Sequence, residues 1–140
     1  MSLVVDASVA IKWFVREPLW READMLARQW ETLSAPEFIV AEVTNVAWKK
    51  VLRGEIDPSQ AHEIATAIQR GVPRFYASIA LNEDALAIAL ALKHPVYDCL
   101  YLACAELADA VLVTADKRLC AAVAGGPYAH LVRHLSEVVA

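Results

Sequence analysis

Two short apolar runs in this chain end close to acidic residues, and they limit its possible folds more than any other feature. Leu3–Val5 is followed by Asp6, and Val111–Thr114 is followed after one residue by Asp116. Short runs rich in Val and Leu are typical of strands buried on both faces, as in a parallel sheet. Desolvating a carboxylate at the end of such a strand is costly, so each acid is expected to have a partner.

The segments between these runs have the residue spacing of helices. Asp57-Pro58 is typical of a helix start, and Gly54 is typical of a helix end. Further strands are predicted over 34–38, 74–79 and 130–133, and helices over 7–15, 19–33, 37–53, 58–70, 82–93, 97–108 and 116–123. Strands that alternate with helices predict one α/β domain over residues 1–140, with a short, mostly parallel central sheet and helices on both faces.

The composition places limits on location and partners. Apolar residues make up 58% of the chain, but the longest apolar run, 85–92, lies between Asp84 and Lys93. It is far shorter than the roughly 20 residues that a membrane span needs. The start of the chain has no basic leader, so we expect no signal peptide, a cytoplasmic location and no membrane partner. The net charge of −4 indicates that nucleic acid would bind only with a cation between its phosphates and the acids.

The cysteines and histidines do not predict a zinc site or a disulfide framework. The three cysteines include no C-x-x-C pair. His130 and His134 are four residues apart, which suits metal binding on a helix, but both lie in A-H-L-V-R-H-L at 129–135, around the predicted last strand.

Four acids are predicted to meet at one edge of the sheet. Asp6 and Asp116 follow strands, and ligands of parallel sheets bind at the carboxyl ends of the strands. Asp98 begins a helix, and Glu42 lies in the first turns of another. Helix capping accounts for Asp98 or Asp116 alone, but carboxylates that crowd together repel one another unless a cation neutralises them. Such an all-oxygen site favours Mg²⁺ or Mn²⁺, ions that activate water for phosphoester hydrolysis.

Four motifs, in this order, resemble the PIN domain. They are V-V-D-A-S at 4–8, P-E-F-I-V-A-E-V-T-N at 36–45, Y-D-C-L-Y-L-A-C-A at 97–105 and V-T-A-D-K-R-L at 113–119. Within that superfamily the chain most resembles, over nearly its whole length, the VapC toxins of VapBC toxin–antitoxin pairs. The resemblance implies a Mg²⁺- or Mn²⁺-dependent ribonuclease, a cognate VapB-type antitoxin and a homodimer.

The resemblance also implies roles for individual residues. The expected reaction is attack of water on an RNA phosphodiester, which leaves a 5′-phosphate and a 3′-hydroxyl. The implied metal ligands are Asp6, Asp98 and Asp116, and Glu42 completes the catalytic set. The polar positions expected to orient these acids or bound water are Ser8, Asn45 and Thr114.

Two further predictions concern binding surfaces. Lys12 and Arg16 lie one helical turn apart just after Asp6, and Lys12 is predicted to contact the RNA backbone. Trp13 and Trp20 flank charged residues near a helix break, and we expect them to anchor an apolar antitoxin segment in a groove along residues 9–55.

Other α/β families fit the chain less well. A response-regulator receiver needs adjacent acids after its first strand, and a haloacid-dehalogenase-type phosphatase needs an Asp where Ser8 stands. No histidine is placed to activate a serine, so a Ser-His triad is not supported. A PIN-like module that binds RNA or protein without catalysis stays open as an alternative.

Overall fold

The computed structural model describes residues 2–138, which form a five-stranded sheet flanked by helices. Strands β1 to β5 are Leu3–Val5, Leu33–Pro36, Arg74–Tyr76, Val111–Thr114 and Val132–His134. Helices α1 to α7 are Ala7–Ala10, Trp20–Ala27, Phe38–Leu52, Pro58–Ala67, Ser78–Leu92, Val96–Leu107 and Lys117–Val123. Short 3₁₀ turns lie between several of these elements or extend them.

The sheet order is β3-β2-β1-β4-β5, and every described strand pair is parallel. This confirms the predicted α/β class with a parallel central sheet. Strand β1 lies at the centre, and its last residue, Val5, is paired with Val113 of β4. The residues that follow these two strands therefore lie next to each other at the carboxyl edge of the sheet.

The core surrounds the two central strands. Val4 and Val5 of β1 and Leu112 of β4 are fully buried, as expected for strands covered on both faces. Helix α6 packs against β1, β2 and β4, and its residues 99–105 are all buried. Because this helix begins at the carboxyl edge of the sheet, its first turn is brought beside the end of β1.

The helix signals in the sequence are largely correct. Asp57 caps α4 in a capping box with Gln60, and Gly54 follows α3 with a φ of +73°. The left-handed φ of Gly54 is one that glycine adopts without steric cost.

Several predicted boundaries are wrong. The helix predicted over 19–33 ends at Ala27, and the strand predicted over 34–38 is β2, which begins at Leu33 and ends at Pro36. The strand predicted over 74–79 ends at Tyr76, and α5 begins at Ser78, so Asn82 lies inside the helix and does not cap it. The reason is that β2 ends at Pro36, the partner of Tyr76, which leaves later residues no strand to pair with. The strand predicted over 130–133 is β5, which begins at Val132 and ends at His134, because residues 129–131 form a 3₁₀ turn.

Within residues 2–138, no single helix is long and apolar enough to cross a membrane. Helices α5 and α6 reach that length and composition only as a pair, with a bend of 116° between them.

Candidate active site

Asp6 lies directly after β1, where three protein groups donate hydrogen bonds to its carboxylate. Thr114 Oγ1 donates to Asp6 Oδ2. Ser8 Oγ donates to Oδ1 at 2.6 Å, and the Val9 backbone N–H donates to Oδ1 at 3.2 Å. Asp6 is 6% exposed, so this carboxylate is almost fully removed from water and depends on these donors.

The two hydroxyls that contact Asp6 also bind the loop that follows β4. Ser8 Oγ accepts the Ala115 N–H at 2.9 Å, and Thr114 Oγ1 accepts the Asp116 N–H at 3.0 Å. The two oxygens lie 3.3 Å apart. The structure therefore places Ser8 and Thr114 between Asp6 and the start of α7, where they fix the loop that contains Asp116.

Glu42 lies in the second turn of α3, and a side chain from α6 holds its carboxylate. The Tyr101 hydroxyl donates to Glu42 Oε1 at 2.5 Å. Tyr101 is 1% exposed, whereas Glu42 is half-buried. The bond joins α3 to α6, so Glu42 is fixed to the helix that also contains Asp98.

Asp98 and Asp116 each have one oxygen held by the protein. Asp98 lies in the first turn of α6, and its Oδ2 is 2.6 Å from Nε2 of His94, four residues earlier. Asp116 is the N-cap of α7, and its Oδ1 accepts the N–H groups of Arg118 and Leu119 at 2.9 Å and 3.4 Å. Negative charge at these helix starts is also favoured by the helix dipole.

Glu42, Asp98 and Asp116 each have one carboxylate oxygen that the described part of the protein binds and one that it does not. Within residues 2–138, no protein donor binds Glu42 Oε2, Asp98 Oδ1 or Asp116 Oδ2. The only fully buried side-chain nitrogen or oxygen without a partner in this part of the chain is His134 Nε2, so these three oxygens are open to solvent. Each of these acids is anchored by one oxygen and has the other free to bind a ligand.

The electrostatics show that the acids act on one another. The pKa of Asp6 is raised from 3.8 to about 6, mainly by burial and also by the charge of Asp98, although its three hydrogen bonds lower it. Burial raises the pKa of Glu42 from 4.5 to about 7, and the charges of Asp6, Asp98 and Asp116 act in the same direction. Raised pKa values produced by burial and by like charges are typical of functional sites.

The donor set fits a hard divalent cation. All four side chains offer carboxylate oxygen, the ligand type that Mg²⁺ and Mn²⁺ prefer, and a cation would offset the repulsion that adds to burial in raising the pKa values of Asp6 and Glu42. In the placement that the structure gives residues 2–138, no three Asp, Glu, His or Cys side chains are close enough to hold one ion. The acids therefore form an open cluster around the end of β1, and do not form a closed metal cage.

Two residues predicted for the site, Lys12 and Asn45, do not form the contacts that were predicted for them. Lys12 Nζ is 2.8 Å from Glu17 Oε1, and the lysine side chain is only 9% exposed, which argues against the predicted contact with RNA. Asn45 is exposed and forms no hydrogen bond with Glu42 in the described structure, so its predicted role in orienting that acid has no support here.

The two tryptophans predicted to bind a partner differ from each other. Trp13 is partly buried against the core, and its Nε1 donates to the Ala23 carbonyl at 2.9 Å. Trp20 is partly exposed, with the guanidinium groups of Arg16 and Arg21 at 4.4 Å and 5.0 Å from its ring. Trp13 is therefore part of the packing, and Trp20 is the better candidate for a surface contact.

Sequence reasoning missed two residues of the site, His94 and Tyr101. Tyr101 had a detectable signal, because it lies three residues after Asp98 on the same helix, a spacing that shares one side of a helix. His94 lies in the turn before α6, so helical spacing does not predict its contact with Asp98. Tyr101 was also part of the motif at 97–105 but was not singled out. Its partner, Glu42, lies 59 residues away in the sequence, and no local pattern predicts that pairing.

Known proteins resemble this chain in sequence and in fold. The PIN domain family model matches residues 3–125. Ribonuclease VapC3 of Pyrobaculum aerophilum is 32% identical over 125 residues, covering 85% of this chain and 92% of that protein.

Two solved structures share the fold. A crystal structure of a protein from Pyrobaculum aerophilum has a TM-score of 0.71 at 23% identity, covering 97% of this chain and 85% of that chain. A toxin–antitoxin complex from Klebsiella pneumoniae has a TM-score of 0.69 at 21% identity, covering 96% of this chain and 98% of that chain. With the family model matched over residues 3–125 and a ribonuclease relative over most of its length, this chain belongs to the PIN domain family.

Proposed function

We propose that this protein is a metal-dependent endoribonuclease of the VapC type. The observation that supports it most strongly is the set of acids at the carboxyl edge of the sheet, Asp6, Glu42, Asp98 and Asp116, where burial and the charges of the other acids raise the pKa values of Asp6 and Glu42. Membership of the PIN domain family and the 32% identity with Ribonuclease VapC3 support the same function.

Asp6, Asp98 and Asp116 are the proposed ligands for Mg²⁺ or Mn²⁺, directly or through water. Asp98 and Asp116 each have a free oxygen for this role, and Asp6 supplies a carboxylate already oriented by Ser8 and Thr114. A divalent ion held by these residues would supply a bound water of lowered pKa and charge stabilisation for the phosphodiester.

Glu42 is the proposed proton acceptor. Its pKa of about 7 in the metal-free protein is close to the value that suits a general base near neutral pH. Oε2 is free while Tyr101 holds Oε1, so Glu42 has one oxygen able to accept a proton from the attacking water. Cleavage of RNA in this way leaves a 5′-phosphate and a 3′-hydroxyl.

The RNA backbone needs a cation other than Lys12, which is paired with Glu17. Lys117 and Arg118 follow Asp116 directly, both are exposed, and no salt bridge in the described structure involves either of them. We propose that Lys117 and Arg118 contact the phosphates of the RNA. Their positive charges would offset the repulsion between these phosphates and the acids of the site.

The proposed protein partner is a cognate VapB-type antitoxin, with an apolar segment that docks on Trp20 of α2 and on the exposed side chains of α3 and α4. Trp48 and Leu52 of α3 are 56% and 66% exposed, and Trp48 lines an apolar groove of about 250 Å³ with Ala61 and Ala65 of α4. Trp20→Ala and Trp48→Ala are expected to weaken antitoxin binding at least about tenfold, because tryptophans that a partner buries are frequent binding hot spots. Unchanged affinity in both variants would reject this surface.

A homodimer is also proposed. Ile79, Leu86 and Leu90 of α5 are 94%, 50% and 72% exposed, and their spacing places them along one stripe of the helix. Leu90→Glu is expected to produce a monomer in sedimentation, and a variant that sediments like the wild type would remove α5 as the interface. An RNA substrate and an antitoxin partner both agree with the predicted cytoplasmic location, which stays a prediction.

The second candidate function is a PIN-domain module that binds RNA or protein without cutting. It is favoured by the open spacing of the acids, since no three of them in residues 2–138 form a preassembled metal site.

One experiment separates the two functions. The purified protein is incubated with total RNA and transfer RNA in Mg²⁺, Mn²⁺ or EDTA, beside Asp6→Asn and the matched control Asp84→Asn, an exposed residue of α5. The proposal predicts metal-dependent cleavage that Asp6→Asn abolishes and Asp84→Asn retains. If the wild type cuts none of these RNAs and calorimetry detects no metal binding, the binding module is the better description.

A further inference from the structure

Tyr101 joins the helix that contains Asp98 to the helix that contains Glu42. Its hydroxyl donates to Glu42 Oε1 at 2.5 Å, and its side chain is 1% exposed. A buried phenol needs a hydrogen-bond partner, whereas a phenylalanine fills the same space without one. Packing alone therefore does not account for the hydroxyl, and Glu42 does.

One more aromatic residue, Phe38, packs against the Tyr101 ring. The Phe38 ring lies edge-on to it, with centroids 6.5 Å apart and an interplanar angle of 61°. Phe38 is also stacked on Tyr97, with centroids 5.3 Å apart and an angle of 15°. Phe38 lies one turn before Glu42 on α3, and Tyr97 lies one turn before Tyr101 on α6. The same two helical turns therefore position both ends of the hydrogen bond.

The hydrogen bond opposes a force that acts on Glu42. The charges of Asp6, Asp98 and Asp116 all act on its carboxylate, so electrostatic repulsion favours rotation of the side chain toward solvent. We propose that Tyr101 is a positioning residue of this site: its hydroxyl fixes Glu42 Oε1 and keeps Oε2 available beside the other acids. This inference rests on the proposed nuclease function and adds to it a residue that touches neither metal nor RNA.

The test uses Tyr101→Phe, which removes the hydroxyl and retains the ring. Tyr97→Phe is the matched control, because Tyr97 is 64% exposed on the same helix and its hydroxyl has no partner among the described residues. Steady-state RNA cleavage gives kcat and KM, and titration with Mn²⁺ followed by electron paramagnetic resonance gives metal affinity without any turnover. Circular dichroism checks that both variants are folded.

We expect Tyr101→Phe to lower kcat on the order of tenfold with KM within about twofold of the wild type, and Tyr97→Phe to change neither. Adding Tyr101→Phe to Glu42→Gln is expected to cause no further loss, because the hydroxyl acts only through Glu42. A Tyr101→Phe protein that is less stable but retains wild-type kcat and Mn²⁺ affinity would reduce the hydroxyl to a packing role and overturn the inference. Additive losses in the double variant would overturn it as well.

Failure of the proposed function is distinguishable from failure of this inference. If the wild type binds Mn²⁺ but cuts no RNA, the nuclease proposal fails, and Mn²⁺ affinity still tests Tyr101. In that case Glu42 acts on the ion through its charge, as the fourth acid of the site. Glu42→Gln removes that charge and Tyr101→Phe lets it turn away, so both variants should weaken Mn²⁺ binding, and wild-type affinity in Tyr101→Phe rejects the inference. A wild-type protein that binds no Mn²⁺ rejects both.

Discussion

Thr114 donates its hydroxyl hydrogen to Asp6 across 108 positions of the sequence. Thr114 is fully buried, and valine has nearly the same shape, so Thr114→Val removes this donor without opening a cavity. We expect the pKa of Asp6 to rise above about 6, because the Thr114 hydrogen bond lowers it. The free energy of unfolding at pH 8 should fall by about 1–3 kcal/mol, the cost of a lost hydrogen bond to a buried charged group.

The pKa of Asp6 in this variant is measured by NMR titration of the side-chain carboxyl in metal-free protein. Thr44→Val is the control, because the Thr44 hydroxyl binds only the Val40 carbonyl on the exposed side of α3. An Asp6 pKa that is equal in wild type and Thr114→Val would show that this hydrogen bond does not stabilise the carboxylate.

The metal-free protein is expected to lose stability as the pH rises from about 4 to 7. Asp6 and Glu42 have raised pKa values in the folded state, about 6 and about 7, so in this range the folded protein binds more protons than the unfolded chain. Their stabilisation is complete below the unfolded pKa values and is lost as the pH passes the folded ones. For Asp6 alone the shift corresponds to about 3 kcal/mol.

Urea denaturation in EDTA at pH 4.5, 6 and 8 measures this loss, and Asp6→Asn should flatten the profile. Mn²⁺ should restore stability at pH 8 and have little effect at pH 4.5, because the ion binds ionised carboxylates. A metal-free protein whose stability rises steadily between pH 4.5 and 8 would contradict the raised pKa values.

Glu17 is expected to stabilise the fold through two buried lysines. Its carboxylate lies 2.8 Å from Lys12 Nζ and 2.9 Å from Lys50 Nζ, whose side chains are 9% and 10% exposed. Glu17→Ala leaves two largely buried cations without this partner. We expect a loss on the order of 2–3 kcal/mol, below the value for a fully buried pair because the Glu17 side chain is 25% exposed.

Glu55→Ala is the control for this network, because Glu55 is 3.5 Å from Lys50 Nζ and its side chain is 47% exposed. It should cost about 0.5 kcal/mol or less in urea denaturation. Partial burial alone would raise the pKa of Glu17, but the lysines lower it, so this stabilisation is lost as the pH falls. Equal losses in the two variants would show that burial of the lysines has no part in the effect.

His94 is expected to matter for metal binding through Asp98. The 2.6 Å contact between His94 Nε2 and Asp98 Oδ2 fixes one carboxylate oxygen and leaves the other free. Removing such a partner of a metal ligand commonly weakens metal affinity by about 10–100-fold. We therefore expect His94→Ala to lower Mn²⁺ affinity at least about tenfold in calorimetry, while His130→Ala, an exposed residue outside the site, leaves it unchanged. Equal affinity in both variants would remove His94 from the site.

The sequence predicted the parallel sheet because its signals are local. The apolar runs of β1 and β4, the capping pair Asp57-Pro58 and Gly54 each depend on residues within one turn of chain. The end of β3 was wrong because it depends on where β2 ends, and alternation within 74–79 does not contain that information.

In the candidate site, too, residues with a local signal were predicted and residues defined by contacts distant in sequence were not. The acids were identified because each has a characteristic position at the end of a strand or the start of a helix. Lys12 was assigned to RNA because it is the basic residue nearest to Asp6, whereas the Glu17 carboxylate that binds it is shared with Lys50 of α3, a contact between residues distant in sequence. Tyr101 was missed for the same reason, since its role depends on a contact between two helices.

The central position of β1 in the sheet has a consequence for the synthesis of the protein. Thr114, which binds Asp6 in the folded protein, and the nearby Asp116 are made more than 100 residues after Asp6. Until β4 has been made and pairs with β1, a nascent chain lacks Thr114 and Asp116 of the site. We therefore expect the proposed ribonuclease to be inactive until β4 and the loop after it have been made, so the messenger RNA that encodes it is not exposed to a working active site before then.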